Sequence, residues 1–258
     1  MVLKMGLEVY PLPLFKSEDY SDIYLLLDRP VKKFQDITYS WYIKGSDRPI
    51  IVDTGLSKDL YAEYGWEVWE EPSWDLVKHL QRLNVKPDDV GYIIHTHLHF
   101  DHCAQDHLFP NARIIVQRRE LEAAAVPRIP KGMTDRSRSC FMLFYDRQVV
   151  SKFVGEFWSR LILLDGEEEI VPGVKCVPLG GHTPGGQAIY VETDKGRAII
   201  TGDVCYIYAN IEQDIPVGYY YNLEDSIKAL SKLRKDGKFI LPGHDPAILD
   251  RYPNKIPP

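Results

Sequence analysis

No apolar run in the chain approaches the roughly 18 residues that a membrane span needs, so a bilayer-spanning role is not expected. Cysteine is scarce: Cys103, Cys140, Cys176 and Cys205 are scattered, with no CxxC pair. They do not read as a disulfide frame. The opening stretch MVLKMGLEVYPLPLF carries little positive charge and no apolar core long enough for an export signal. The cysteines therefore read as reduced thiols of a cytoplasmic protein. Basic residues are not in excess either. The formal net charge is -6, which argues against nucleic acid or an anionic membrane as partner. The chain also shows no internal repeat, no low-complexity tract and no GxxxxGK[ST] phosphate loop.

What is present is an ordinary globular composition over 258 residues, 45% hydrophobic and 26% charged, with 16 tyrosines. Short apolar, β-branched runs recur at 49–55, 91–97, 112–117, 160–166, 174–181, 187–193, 197–203 and 238–244. Each is strand-length and bounded by Gly, Pro or Asp. Several are apolar on both faces, as buried strands are. Between them, 73–84 predicts a helix with Ser73 as N-cap and a stripe through Trp74, Leu76, Val77, Leu80 and Leu83. A second helix is predicted over 222–237, from Asn222 as N-cap to Gly237. A third helical region lies at 139–158. The irregular alternation predicts an α/β protein with sheets inside and helices outside. No linker divides the chain, so residues 1–258 read as one domain. The stretch 127–158 interrupts the strand pattern and reads as a helical insertion.

One stretch concentrates chemistry. THLHFDH, residues 96–102, places His97, His99 and Asp101 two apart and adds His102. On extended backbone, side chains two apart project to one side, so the set can face one small volume at a strand end. Three further metal-binding types stand beside glycine at strand ends: His182 in GGHTPGG, Asp203 in TGD and His244 in PGHD. Imidazole and carboxylate suit Zn and its neighbours. Seven ligands are too many for one tetrahedral ion and suit two, with one carboxylate shared. His95 shares parity with His97 and competes for the first place. His79 and His107 read as structural, and Cys103 and Cys205 as small buried residues.

These residues resemble the metallo-β-lactamase superfamily. The likeness runs through IIVDTG, THLHFDH, GGHTPGG, TGD and LPGHD in that family's order. It implies an αβ/βα sandwich of two mixed sheets with outer helices and a metal site at one edge. It implies that His97, His99 and His182 hold one divalent ion, that Asp101, His102 and His244 hold another, and that Asp203 bridges them. Asp53, in VDTG, would orient the ligand loops. Within the superfamily the sequence is most similar to the N-acyl-homoserine lactonases, through THLHFDH, IIVQRRELEAA, the EEIVPGV hairpin and PGHD. Those enzymes carry a tyrosine three residues after the bridging aspartate, which here is Tyr206, with Tyr208 nearby. The segments 15–34 and 127–158 match no usable pattern, so the reaction class carries over better than the substrate does.

The chemistry expected is ring opening of a lactone, with a hydroxide shared by two ions, most simply Zn2+ (with Mn, Fe or Co as alternatives), attacking the carbonyl. Tyr206 would donate to the oxyanion or leaving oxygen, and Asp101 could pass a proton to the leaving group. The alternative is a thioesterase of the glyoxalase II type, or another ester or cyclic-amide hydrolase on the same fold. The short ending AILDRYPNKIPP lacks the basic region that the glyoxalase type usually carries. The expected partner is a small carbonyl substrate. The aromatic stretches 66–74 and 206–221 would line a pocket, fill core or form a homodimer surface.

Overall fold

The structure is a computed structural model that describes residues 6–56, 60, 68–69, 71, 73–126 and 145–258. Two mixed sheets form its centre. The first has six strands in the order β1 (Glu8–Tyr20), β2 (Lys33–Lys44), β3 (Ile50–Val52), β4 (Tyr92–Ile94), β5 (Arg113–Gln117) and β6 (Leu161–Leu164). The second has five, in the order β11 (Phe239–Leu241), β10 (Gly196–Ile200), β9 (Gln187–Thr193), β8 (Val174–Pro178) and β7 (Glu168–Val171). In the first sheet β3, β4, β5 and β6 run parallel, while β1, β2 and β3 are antiparallel. In the second only β10 and β11 pair in parallel.

Side-chain alternation sorts the layers. Ile50, Val52, Ile94 and Ile115 point between the sheets, where they meet Val174, Cys176, Ile189, Val191 and Ile200. Their neighbours Ile51, Ile93, Ile114 and Val116 point the other way, onto Leu76, Leu80, Leu121, Val149 and Phe153 of the outer helices. On the far side of the second sheet, Ala188, Tyr190 and Ile199 pack against Ala229, Leu230 and Leu233 of the helix Leu223–Asp236. Apolar faces on both sides of each sheet need a cover on both sides, and the order helix, sheet, sheet, helix supplies it.

The apolar runs predict no strand before Pro49, yet β1 and β2 form the longest antiparallel pair among the described residues. Pro11 and Pro13 demote the first run in a sequence reading. Here β1 is an edge strand, where a missing N–H costs little, and its register shifts between Pro13 and Phe15. The helix expected over 73–84 is shorter, Leu76–Arg82, and its N-cap is Asp75 in place of Ser73. The Asp75 carboxylate accepts from the Lys78 amide at 2.8 Å, so it wins the capping position. The helix Leu223–Asp236 starts on Asn222 as expected, with Asn222 Oδ1 accepting from Asp225 N at 3.0 Å. Of the stretch 127–158, residues 127–144, with Cys140, lie outside the described residues, as do Trp66, Glu67, Glu70 and Pro72 of the stretch 66–74. The remainder forms the helix Arg147–Phe153, whose Val149, Val150 and Phe153 are buried in the outer core. Among the described residues no helix is long and apolar enough to cross a membrane.

The parallel pairs bring distant turns together. β3 and β4 end side by side, as do β10 and β11. The turns that leave them carry Asp53, the THLHFDH stretch, Asp203 and His244.

Candidate metal centre

β4 ends at Ile94, three residues short of His97. The expectation that His97, His99 and Asp101 share one side of extended backbone therefore holds only in part. His97 and His99 lie on irregular chain, while Asp101 and His102 sit on a single helical turn, Phe100–Cys103. That turn swings Asp101 and His102 away from the preceding histidines, so one motif serves two sites.

Two groups of potential ligands result. His97, His99, His182 and Asp203 form one; Asp101, His102, His244 and Asp203 form the other. Asp203 belongs to both and divides its oxygens between them. Its Oδ2 lies 3.5 Å from His97 Nε2 and 3.3 Å from His182 Nε2. Its Oδ1 lies 3.2 Å from His102 Nε2 and 3.1 Å from His244 Nε2. Asp101 Oδ2 approaches His102 Nε2 at 3.3 Å. All but Asp101 are buried; Asp101 lies at the lip with a side chain 15% exposed. Gly202 lets the chain bring Asp203 here. Its φ is +51°, and a Cβ would stand 2.6 Å from Thr96 Cβ.

Hydrogen bonds on the outer side of each ring decide which nitrogen faces inward. His102 Nδ1 donates to Asp53 Oδ2 at 2.9 Å, and His182 Nδ1 donates to Tyr219 O at 2.8 Å. A carboxylate and a carbonyl only accept, so both Nδ1 atoms carry the proton. Thr96 Oγ1 gives its own proton to Asp53 Oδ2 at 2.6 Å, which leaves it to accept from His97 Nδ1 at 3.1 Å. In the neutral form of each ring, the form that binds a cation, Nε2 keeps its lone pair, aimed at Asp203. His97 Nε2, His102 Nε2 and Asp203 Oδ1 are buried without a hydrogen-bond partner. His99 Nδ1 and His182 Nε2 stand 3.0 Å apart. Converging lone pairs and a shared carboxylate repel one another unless cations lie between them, so the residues present fit two divalent ions.

Charge follows the same division. Burial, reinforced by neighbouring imidazoles, pushes His97 and His99 well below the ordinary histidine range, and burial lowers His182. These rings are neutral, the form that binds a cation. Burial also opposes charge on His102 and His244, yet Asp203 outweighs it and holds both above the usual range, with Asp101 adding to the effect on His102. For Asp203, burial is outweighed by His102, His244 and His97, which hold its carboxyl well below the usual range.

Other candidates separate clearly. His95 is buried, but its Nε2 bonds Asp106 Oδ2 at 2.8 Å, outside both groups. Burial works against its charge, and Asp106 and Asp53 outweigh that to raise its pKa to about 9. His79 Nε2 meets Pro13 O at 2.8 Å, and His107 is exposed. Cys103 and Cys205 are buried in apolar clusters and stand in neither ligand group. The ring of Tyr206 lies edge-on to His182 and His244, with centroids at 5.5 and 5.2 Å. Tyr208 is in the core between the sheets, under the Arg251 guanidinium. Tyr24 and Phe34, from the unmatched segment 15–34, gather with Tyr206, Ile207 and Val217 into an apolar cluster beside the cage.

Sequence reasoning missed three contributors. Tyr145 packs edge-on to His99, Tyr219 supplies the carbonyl under His182, and Asp36 Oδ2 stands 3.4 Å from His244 Nδ1. No local pattern marks them, because each meets the site through the fold. Glu120 left a signal that went unused. It shares the buried face of the helix Arg118–Ala125 with Leu121 and Ala124, an unusual place for a carboxylate.

A family model described as the metallo-beta-lactamase superfamily matches residues 34–244. The N-acyl homoserine lactonase AiiA of Bacillus thuringiensis subsp. kurstaki is 30% identical over 223 residues, 80% of each chain. The N-acyl homoserine lactonase AttM of Azorhizobium caulinodans is 30% identical over 73% of this chain and 69% of the relative. Among solved structures, a quorum-quenching N-acyl homoserine lactone lactonase superposes with a TM-score of 0.74 at 25% identity, covering 98% of this chain and 99% of that one. AidC, a dizinc quorum-quenching lactonase in complex with a product, shares the fold, with a TM-score of 0.69 at 16% identity over 98% and 91% of the two chains.

Proposed function

The chain belongs to the metallo-β-lactamase superfamily, and from that premise we propose that it is a dinuclear metal-dependent hydrolase that opens the ring of an N-acyl-homoserine lactone. The observation that carries this reading is the division of Asp203 between two ligand groups, one oxygen to each. His97, His99 and His182 would hold one ion, Asp101, His102 and His244 the other, and Asp203 would bridge. Their nitrogen and carboxylate donors suit Zn2+ best. When bound, two such ions lower the pKa of a shared water toward neutrality and polarise a carbonyl.

The chain's own groups would manage orientation and protons. Burial, with Asp203 and Asp101 nearby, pushes the Tyr206 phenol well above its ordinary pKa, so it remains a donor. From its place between His182 and His244 it would donate a hydrogen bond to the oxygen that gains charge as the carbonyl is attacked. Asp101, at the lip, would take up the proton that the attacking water gives up and hand it to the alkoxide that leaves when the ring opens. The cluster of Tyr24, Phe34, Ile207 and Val217 would exclude water from that side and receive the acyl chain. Cys103, Cys176 and Cys205 are buried free thiols, which suits the reducing cytoplasm we propose for the protein.

The deciding experiment is a substrate panel on metal-replete protein: N-acyl-homoserine lactones, glutathione thioesters, aryl esters and phosphodiesters side by side. Lactones turned over best is the expected result. Thioesters turned over best would favour the glyoxalase II type, and phosphodiesters as the only good substrates would overturn carbonyl hydrolysis altogether.

A further inference from the structure

Glu120 is fully buried beneath the three-histidine half of the cage. Its Oε1 accepts from the Leu98 amide at 3.0 Å and from the Tyr145 hydroxyl at 2.9 Å. Its Oε2 accepts from the Gly185 amide at 2.9 Å. Leu98 lies between His97 and His99, and Gly185 lies three residues after His182. One carboxylate thus ties the main chains of both loops that carry these histidines. Its third partner, Tyr145, packs its ring edge-on to His99, with centroids at 5.0 Å.

Two features make this more than a satisfied buried acid. The two amides can only donate and the Tyr145 hydroxyl donates as well, so the Glu120 carboxylate is the acceptor that joins all three. The approach is also close enough to restrict the opposite loop, since a Cβ at Gly185 would stand 2.2 Å from Glu120 N. The loop must be glycine there for its amide to reach the carboxylate.

We infer that Glu120 is a positioning residue that sets the spacing between the His97–His99 and His182 loops, and so tunes metal binding in that half of the site. The inference rests on the proposed dinuclear hydrolase. Ligands from two loops bind a cation well only if the loops are held in register. Outer-shell carboxylates of this kind typically contribute about 10- to 100-fold in metal affinity. The other half, Asp101, His102 and His244, has no hydrogen bond to Glu120 and is supported instead by Asp53 and Asp36.

The test is metal binding by the full chain, read without substrate. Zinc content after dialysis and chelator competition would be measured for wild type, Glu120→Gln and Tyr145→Phe. In Glu120→Gln an amide N–H replaces one acceptor and faces a donor. Expected is a biphasic titration in which one of two zinc ions binds roughly 10- to 100-fold more weakly while the second is unchanged. The cobalt-substituted variant would show a changed absorption spectrum. Tyr145→Phe keeps both amide bonds and is expected to bind two ions as wild type does. Two wild-type zinc affinities in Glu120→Gln, or equal weakening of both ions, would overturn the proposal. If Glu120→Gln fails to fold by circular dichroism, Gly185→Ala separates the same pair from the other side, and the same selective loss is expected. Wild type that binds two ions but opens no lactone would sink the functional proposal and leave this one standing.

Discussion

His102 Nδ1 lies 2.9 Å from Asp53 Oδ2, on the side of the imidazole that faces away from the cage. Asp53 also accepts from Thr96 N at 2.8 Å and from Thr96 Oγ1, through which it reaches His97. One residue at the end of β3 thus orients a ring in each ligand group. It adopts φ +55°, a conformation that aspartate tolerates better than most residues. Asp53→Ala is expected to weaken zinc binding at both halves by about 10- to 100-fold. Chelator competition measures this, and loss from one half alone would contradict the shared role.

Replacing one of the proposed ligands should cost more. His97→Ala is expected to lower metal content and turnover together, in parallel across metal loadings. Metal analysis beside steady-state kinetics checks it. Full occupancy with normal turnover would remove His97 from its assigned place.

The two tyrosines that compete in the sequence should behave differently. Tyr206→Phe is expected to keep both ions and lose about a hundredfold in kcat, the scale of one oxyanion donor. Tyr208→Phe is expected to leave kcat unchanged, because its ring lies in the core between the sheets. An unaltered kcat in Tyr206→Phe would leave that ring as pocket wall.

Stripping the metal should destabilise the protein, because buried lone pairs and carboxylates then face one another uncompensated. Ions at 100 times their dissociation constant stabilise a folded state by about 2.7 kcal/mol. Tm should fall on chelation and return with added zinc. A Tm indifferent to chelator would mean that the cage does not bind under those conditions.

Thiol chemistry offers a check away from the site. Burial, joined by nearby carboxylates, raises Cys103, Cys176 and Cys205 above the ordinary thiol range. All three are expected to resist a thiol reagent in the native protein and to react on unfolding. Labelling followed by peptide mapping reads each cysteine separately, and fast native labelling of any of the three would contradict its burial.

Much of this architecture is encoded locally. Runs such as 187–193 have apolar character on both faces, and Asn222 and Gly237 bound a helix by capping chemistry that acts over a few residues. The metal-binding residue types and their spacing in THLHFDH are likewise a property of the chain alone. The N-terminal hairpin is hard to read because Pro11 and Pro13 suit an edge strand, here bridged on its outer side at Val9 and Lys16 but not at the prolines, and edge position depends on the whole sheet. The Ser73 and Asp75 choice turned on which side chain reaches the amide three residues on.

What only the tertiary structure decided is how distant pieces meet. Side by side, β3 and β4, and likewise β10 and β11, deliver Asp53, His97, Asp203 and His244 to one place. Asp203 can then give one oxygen to each ligand group, His95 is diverted to Asp106, and Glu120 can bridge two loops. Local sequence sets backbone preference and the chemistry of each side chain, because those act through neighbours along the chain. Convergence is set by strand order and by packing between residues more than a hundred positions apart, such as His97 and Asp203, and no local pattern carries that information.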